Sequence, residues 1–90
     1  MQFSFEDVNN GDEVIDIRSK LQYDAFHYPN SIHITKDDLL SNPEVYLDKN
    51  KKYYIICTRG TSSLLTARIL NVKGYECYSI LGGINAYKGR

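Results

Sequence analysis

Residues 53–63 read YYIICTRGTSS, an apolar run that ends at Cys57 and passes into small and polar residues. A continuous apolar run of this kind is typical of a parallel strand that is covered on both faces. The polar residues after it, followed by apolar positions at helical spacing over 64–72, indicate a tight loop that opens directly into a helix. The sequence therefore places one thiol at the carboxyl end of a buried strand, beside a helix start.

That position has chemical consequences for Cys57. The first N–H groups of a helix lack intrahelical partners, and those of a tight loop before it converge on the same point. Such a point binds anions and favours a thiolate over a thiol. We therefore predict that Cys57 is a reactive nucleophile. The alternative is a buried core cysteine, a common fate for this residue type.

The flanking sequence alternates short apolar runs with helical patterns, which is typical of an α/β fold with a parallel sheet. Strands are predicted over residues 13–17, 31–34, 53–57 and 76–81. Helices are expected to start after Ser19, Thr35 and Asn42, and the helix that follows Cys57 should stop at Gly74. A turn at residues 82–83 leads into a closing helical turn through Tyr87. The side chains expected to pack inward are Leu39, Leu40, Val45, Leu47, Leu64, Leu65, Ala67, Ile69, Leu70 and Val72.

Length and composition limit the functional classes. Ninety residues suit a single domain over 1–90, and eleven basic residues balance eleven acidic ones. Because the formal net charge is zero, no overall electric field attracts polyanions, and neither nucleic acid nor an anionic membrane is an expected partner. No stretch approaches the length of a membrane span, and no basic leader precedes an apolar run. We expect a cytoplasmic monomer.

The cysteines and histidines do not form a recognisable metal or disulfide pattern. Cys57 and Cys77 are twenty positions apart and no Cys-x-x-Cys is present, so reduced thiols are expected. His27 and His33 add no compact ligand spacing, and we predict no metal and no cofactor. Cys77 falls within a predicted strand and should be a core thiol.

Four landmarks, in order, resemble one known family. Residues 14–18 (VIDIR) resemble an apolar-Asp-apolar-Arg strand, and residues 23–34, with a histidine and a proline, resemble a segment ending His-Ile-Pro-Gly-Ala. Residues 57–63 are similar to Cys-x-x-Gly-x-x-Ser, and residues 81–87 to Leu-x-Gly-Gly-x-x-Ala-Trp with Tyr in place of Trp. Together they resemble the single-domain rhodaneses, which are sulfurtransferases of persulfide chemistry.

The resemblance implies a fold and an activity. The fold is a three-layer α/β/α arrangement around a mainly parallel sheet of about five short strands. The activity is that of a thiosulfate sulfurtransferase, in which the Cys57 thiolate takes sulfur from thiosulfate or another sulfane donor and becomes a persulfide. A second nucleophile, which is cyanide in vitro or a small thiol or protein acceptor, then removes that sulfur.

The resemblance also assigns candidate site residues. The loop that binds substrate is Thr58, Arg59, Gly60, Thr61 and Ser62, and the supporting residues are Asp16, Arg18, His27 and Ser63. Gly60 is expected to provide a positive φ or a tight turn. Arg59 either attracts a sulfonate-like oxygen or is a solvated side chain.

The supporting roles each have a plainer alternative. Ser62 and Ser63 either bond to a bound anion or cap the helix, and capping is favoured for one of them. Asp16 and Arg18 share a strand face, where they either support the loop or form an ordinary charge pair. His27 is expected to be structural rather than a proton donor, and His33 to face solvent.

Departures from the family pattern keep other functions open. Many family loops carry Arg next to the cysteine or near the loop end, whereas Thr58 and Ser62 stand there, so affinity for thiosulfate itself is left open. Asn30 replaces a glycine but can adopt a left-handed conformation. A non-catalytic or sulfur-relay partner-binding module is one alternative. A Cys-dependent phosphatase or arsenate reductase is less favoured, because Ser63 replaces the arginine that clamps a phosphoryl group.

Overall fold

The computed structural model describes residues 2–9 and 11–88, without the side chain of Lys88. Within these residues, five strands form one sheet in the spatial order β1-β5-β4-β2-β3, and every neighbouring pair is parallel. They are β1 (Gln2–Phe3), β2 (Glu13–Asp16), β3 (Ile32–His33), β4 (Lys52–Ile56) and β5 (Glu76–Ile80). The α/β class and the short parallel strands are confirmed. The sequence did not locate β1, because two residues are too few to show an alternating pattern.

The described part of the chain also forms five helices and a 3₁₀ turn at Phe5–Asp7, which surround the sheet. The helices are α1 (Lys20–Ala25), α2 (Lys36–Ser41), α3 (Pro43–Tyr46), α4 (Thr61–Val72) and α5 (Gly83–Lys88). Alternate residues of β4 enter two separate cores: Tyr53 and Ile55 pack with α2 and α4, whereas Tyr54 and Ile56 pack with Phe5 and Ile84. Both faces of the central strand are therefore covered, as its continuous apolar run predicts.

Local capping signals give the helix starts correctly. The side chains of Ser19 and Thr35 accept hydrogen bonds from the backbone N–H groups of Gln22 and Asp38, three residues later in each case. Pro43 is the first residue of α3, where its missing N–H costs nothing. Asn30, in place of the family glycine, has a φ of 66°. These predictions are confirmed.

Part of the predicted inward-facing set is wrong. Leu39 and Leu47 are buried, but Val45 is 70% exposed because the single turn of α3 turns its Pro43 side toward the protein. In α4 the exposed fractions of Leu65 and Val72 are 59% and 89%. The buried residues of α4 are Ser63, Thr66, Ala67 and Leu70, so Ala67 and Leu70 are confirmed, whereas the two polar residues were not predicted to pack inward. The i, i+3, i+4, i+7 spacing of the four defines one helix face, and its small side chains fit a helix packed closely on the sheet.

Candidate active site

Cys57 directly follows β4, at the carboxyl edge of the sheet, where open parallel sheets bind ligands. A cavity of about 390 Å³ opens there, and its lining includes Cys57 and four of the predicted loop residues. These four are Thr58, Arg59, Thr61 and Ser62. Arg18, at the end of the neighbouring strand β2, lines the same cavity. The structure thus brings most of the sequence-predicted residues to one place.

Two backbone N–H groups donate to the sulfur of Cys57, and a hydroxyl lies beside it. The backbone N–H of Gly60 donates to Sγ over 3.0 Å and that of Ser63 over 3.2 Å, while the Ser63 hydroxyl oxygen lies 3.3 Å from the sulfur. Cys57 is only 5% exposed. Amide donors at a helix start can stabilise negative charge on an atom they point at, so the loop is able to hold an anionic sulfur species.

Gly60 makes this convergence possible. It is the N-cap of α4 and has a φ of 99°, a conformation that side-chain-bearing residues rarely adopt. A Cβ at this position would lie 3.0 Å from the backbone nitrogen of Gly82. The predicted positive φ is confirmed. The predicted serine cap is wrong, because α4 has no side-chain cap and Ser63 is the third residue of the helix.

The carbonyl groups of the loop are held by α5. The N–H of Ile84 donates to the oxygen of Cys57 over 2.8 Å, and the N–H of Asn85 donates to the oxygen of Thr58 over 3.2 Å. The closeness of the two segments requires Gly83, since a Cβ there would lie 2.3 Å from the Cys57 oxygen. With its carbonyls bonded to α5, the loop can direct its N–H groups to the sulfur.

Asp16 and Arg18 form a buried, two-pronged ion pair. Arg18 Nε lies 3.0 Å from Oδ1 and Nη2 lies 2.7 Å from Oδ2 of the fully buried Asp16. Nη2 also donates to the carbonyl of Phe26 over 2.6 Å. These bonds fix the arginine in the cavity wall and neutralise much of its charge, which favours support of the site over direct capture of an anion.

One of the two histidines, His33, differs from expectation. His27 is exposed, stacks on Tyr23 with ring centres 4.0 Å apart, and does not line the cavity. His33, which we expected to face solvent, is half-buried, and its Nε2 lies 2.7 Å from the carbonyl oxygen of Arg18. That expectation is wrong because β3 pairs His33 with Asp16 in sheet register, beside the ion pair.

Three cavity residues were missed from the sequence: Ile17, Gln22 and Lys36. Lys36 is the exposed first residue of α2, and with Arg59 it gives the cavity two exposed cationic side chains. Twenty-one positions separate Lys36 from Cys57 in the sequence. No local pattern joins them, so only the fold reveals this lysine.

Cys77 lies in the core, as predicted. It is fully buried, and burial, with a smaller contribution from Glu76, raises the pKa of its thiol to about 12. Sheet register pairs Cys77 with Tyr53, four residues before Cys57, which places it about 13 Å away along the strand direction. Among residues 2–9 and 11–88, no three His, Cys, Asp or Glu side chains form a group that could hold a metal.

Known proteins share both this sequence pattern and this fold. The family model of the rhodanese-like domain matches residues 5–90. The chain belongs to the rhodanese-like domain family. The rhodanese resemblance of its sequence is therefore confirmed, together with the fold that the resemblance implies.

Relatives of this rhodanese-like chain carry sulfurtransferase names. It is 30% identical over 76 residues to the putative sulfurtransferase YtwF of Bacillus subtilis, covering 84% of this chain and 73% of that one. It is 35% identical over 75 residues to the adenylyltransferase and sulfurtransferase uba4 of Ogataea parapolymorpha, covering 82% of this chain. The match spans only 19% of that longer relative.

The solved structure of a rhodanese-related protein from Thermoplasma volcanium superposes with a TM-score of 0.79 at 27% identity. The match covers 86% of this chain and 76% of that one.

Proposed function

We propose that this rhodanese-like domain is a sulfurtransferase that carries sulfane sulfur as a persulfide on Cys57. The observation that supports this most strongly is the convergence of two backbone N–H groups and one hydroxyl on a single sulfur within 3.3 Å. The same donors can stabilise the attacking thiolate, the persulfide anion and the thiolate that leaves in the second step. One preorganised site thus serves both half-reactions.

In the first half-reaction, the Cys57 thiolate attacks the outer sulfur of thiosulfate or a related sulfane donor. A new S–S bond forms, the S–S bond of the donor breaks, and the rest of the donor leaves with the electron pair of that bond, as sulfite from thiosulfate or as a thiolate from a persulfide. In the second, an acceptor nucleophile bonds to the terminal sulfur and Cys57 leaves as a thiolate. Because the two substrates react in turn, ping-pong kinetics are expected, without a metal or an organic cofactor.

The charged residues at the cavity suit an anionic donor. Arg59 and Lys36 are exposed and line the cavity, whereas Arg18 is committed to Asp16. Because both side chains are exposed, water and salt screen their attraction for an anion. We therefore propose that thiosulfate is accepted with modest affinity and that persulfide donors are also used.

The rate of thiocyanate formation tests the proposed function. Native protein should form thiocyanate from cyanide with thiosulfate, and with an alkyl persulfide as the donor. Cys57→Ser should abolish both activities, and Cys77→Ser, the matched control, should keep most of them. Thiocyanate formation by Cys57→Ser at the native rate would show that another residue is the nucleophile.

A sulfur relay to a protein acceptor is the second candidate. The relative named adenylyltransferase and sulfurtransferase is about five times longer than the matched segment, so a domain of this kind can be one part of a larger sulfur-transferring protein. No helix of the described chain is long and apolar enough to cross a membrane.

We propose a cytoplasmic monomer, a single domain over 1–90, that passes its persulfide to a small thiol or a protein. Transfer of labelled sulfur to a purified acceptor protein, compared with cyanide, distinguishes the two routes.

A further inference from the structure

Two buried serine hydroxyls continue the hydrogen bonding behind the Cys57 sulfur. Ser63 and Ser79 are both fully buried, and their Oγ atoms are 2.6 Å apart. Ser63 Oγ lies 3.3 Å from the sulfur, and both serine oxygens are within 3.3 Å of the carbonyl oxygen of Gly60. A thiol, two hydroxyls and a carbonyl thus form one chain of hydrogen-bonding groups beneath the site.

The short distance between the serines restricts where their protons can be. Two oxygens at 2.6 Å repel each other unless a proton lies between them, so one serine must donate to the other in every state of Cys57. When Cys57 is a thiol, its S–H can donate to Ser63, Ser63 to Ser79, and Ser79 to the Gly60 carbonyl. In this arrangement the thiol and the two serine hydroxyls each donate one hydrogen bond.

The direction of these hydrogen bonds reverses when the sulfur is negative. A thiolate or persulfide has no proton to give and needs a donor, so the Ser63 hydroxyl turns to the sulfur and Ser79 turns to donate to Ser63. The Gly60 carbonyl keeps the N–H of Leu64, which donates over 3.2 Å. No proton passes from one residue to another, since each hydroxyl only rotates about its C–O bond. The thiol proton itself leaves to a solvent base.

We infer that Ser79 is a positioning residue for Cys57, acting through Ser63 to strengthen the hydrogen bond that the Ser63 hydroxyl gives to a negative sulfur. A hydroxyl that accepts a hydrogen bond becomes a better donor, and the effect is larger in a buried site. Without Ser79, the Ser63 hydroxyl donates without this support, and the Gly60 carbonyl competes for it at 3.2 Å. The inference rests on the proposed role of Cys57 as the nucleophile.

Among the described residues, no charged side chain is hydrogen-bonded to Ser79. Its sheet neighbours in register are Gln2 of β1 and Ile55 of β4, and its partner in α4 is Ser63. The cations near the sulfur, which are Arg18, Lys36 and Arg59, line the cavity, and Asp16 is paired with Arg18. Replacing Ser79 with alanine leaves all of these charges in place.

The test is the pH midpoint of Cys57 alkylation by iodoacetamide, read by peptide mass. Ser79→Ala should raise the midpoint by about 0.5 to 1 pH unit and Ser63→Ala by about 1 to 2 units, because a bond to a charged group is stronger than one that acts through it. The double variant should match Ser63→Ala alone. Thr66→Val is the matched control, since it removes another buried hydroxyl from the same face of α4, and its midpoint should equal that of the native protein.

An unchanged midpoint in Ser79→Ala overturns the inference, and so does an equal upward step when Ser63 is already alanine. If Ser79→Ala does not fold, the native protein still decides the matter. The hydroxyl proton resonance of Ser79 should shift with the same midpoint as alkylation, and a resonance that does not change with pH overturns the inference. Alkylation requires no sulfur donor, so its result is independent of whether the protein proves to transfer sulfur.

Discussion

Replacing Gly83 with alanine tests whether α5 holds the active-site loop in place. An added Cβ would lie 2.3 Å from the Cys57 carbonyl oxygen and 2.7 Å from both the carbonyl carbon and the oxygen of Thr58. These are backbone atoms and cannot rotate away. Either the loop or the start of α5 must therefore move.

The cost follows from what that movement breaks. The hydrogen bonds from the N–H groups of Ile84 and Asn85 to the loop carbonyls contribute about 1 kcal/mol each, and alanine at a φ of 60° costs about 1 kcal/mol more. We expect Gly83→Ala to lower the free energy of unfolding by about 3 kcal/mol, measured by urea titration. Because displaced loop amides no longer point at the sulfur, turnover of the folded variant should fall on the order of 100-fold.

Gly11→Ala provides the matched control. Gly11 also has a positive φ, 93°, but beyond its two chain neighbours no described atom lies within 4 Å of the position of its Cβ. This variant should lose only the 1 to 2 kcal/mol or so of left-handed strain and keep its activity. If Gly83→Ala were no less stable than Gly11→Ala and equally active, α5 would not be what positions the loop.

Three further substitutions test other parts of the structure by urea unfolding. Arg18→Gln should cost about 3 kcal/mol, because it leaves the fully buried Asp16 carboxylate without its partner; a loss below 1 kcal/mol would contradict this. Since burial raises the pKa of Cys77 to about 12, the folded chain keeps a proton that the unfolded chain loses above pH 9. This thiol should therefore lower stability by about 1.4 kcal/mol per pH unit between about pH 9 and 12, and Cys77→Ala should lack this contribution. Thr66→Val should gain about 1 kcal/mol, because the buried hydroxyl of Thr66 has no described partner; a loss would reveal a bond that the structure does not show.

Features with a local cause could be predicted from the sequence. The side-chain caps at Ser19 and Thr35 and the stop of α4 before Gly74 each depend on a few consecutive residues. The position of Cys57 follows from the apolar run before it and the polar loop after it. The cysteine and the loop that contributes its amides could therefore be located without a structure.

Features that depend on distant segments could not be predicted. Three features join positions that are 16 to 27 residues apart in the sequence. They are the hydrogen bonds from α5 to the loop carbonyls, the pairing of Ser63 with Ser79, and the presence of Lys36 at the cavity. The exposure of Val45 likewise depends on how α3 meets the rest of the protein rather than on its own sequence. Hydrophobicity alone does not report which side of a single helical turn is covered.

The measurement that tests the central claim most directly is intact mass after incubation with a sulfane donor. Native protein treated with thiosulfate or an alkyl persulfide should gain the mass of one sulfur atom, located on Cys57 by peptide mapping and removed by cyanide as thiocyanate. Cys77→Ser should gain the same mass and Cys57→Ser should gain none. Absence of the added sulfur with both donors, or its presence on Cys77, would contradict the account of Cys57 as the residue that carries sulfur.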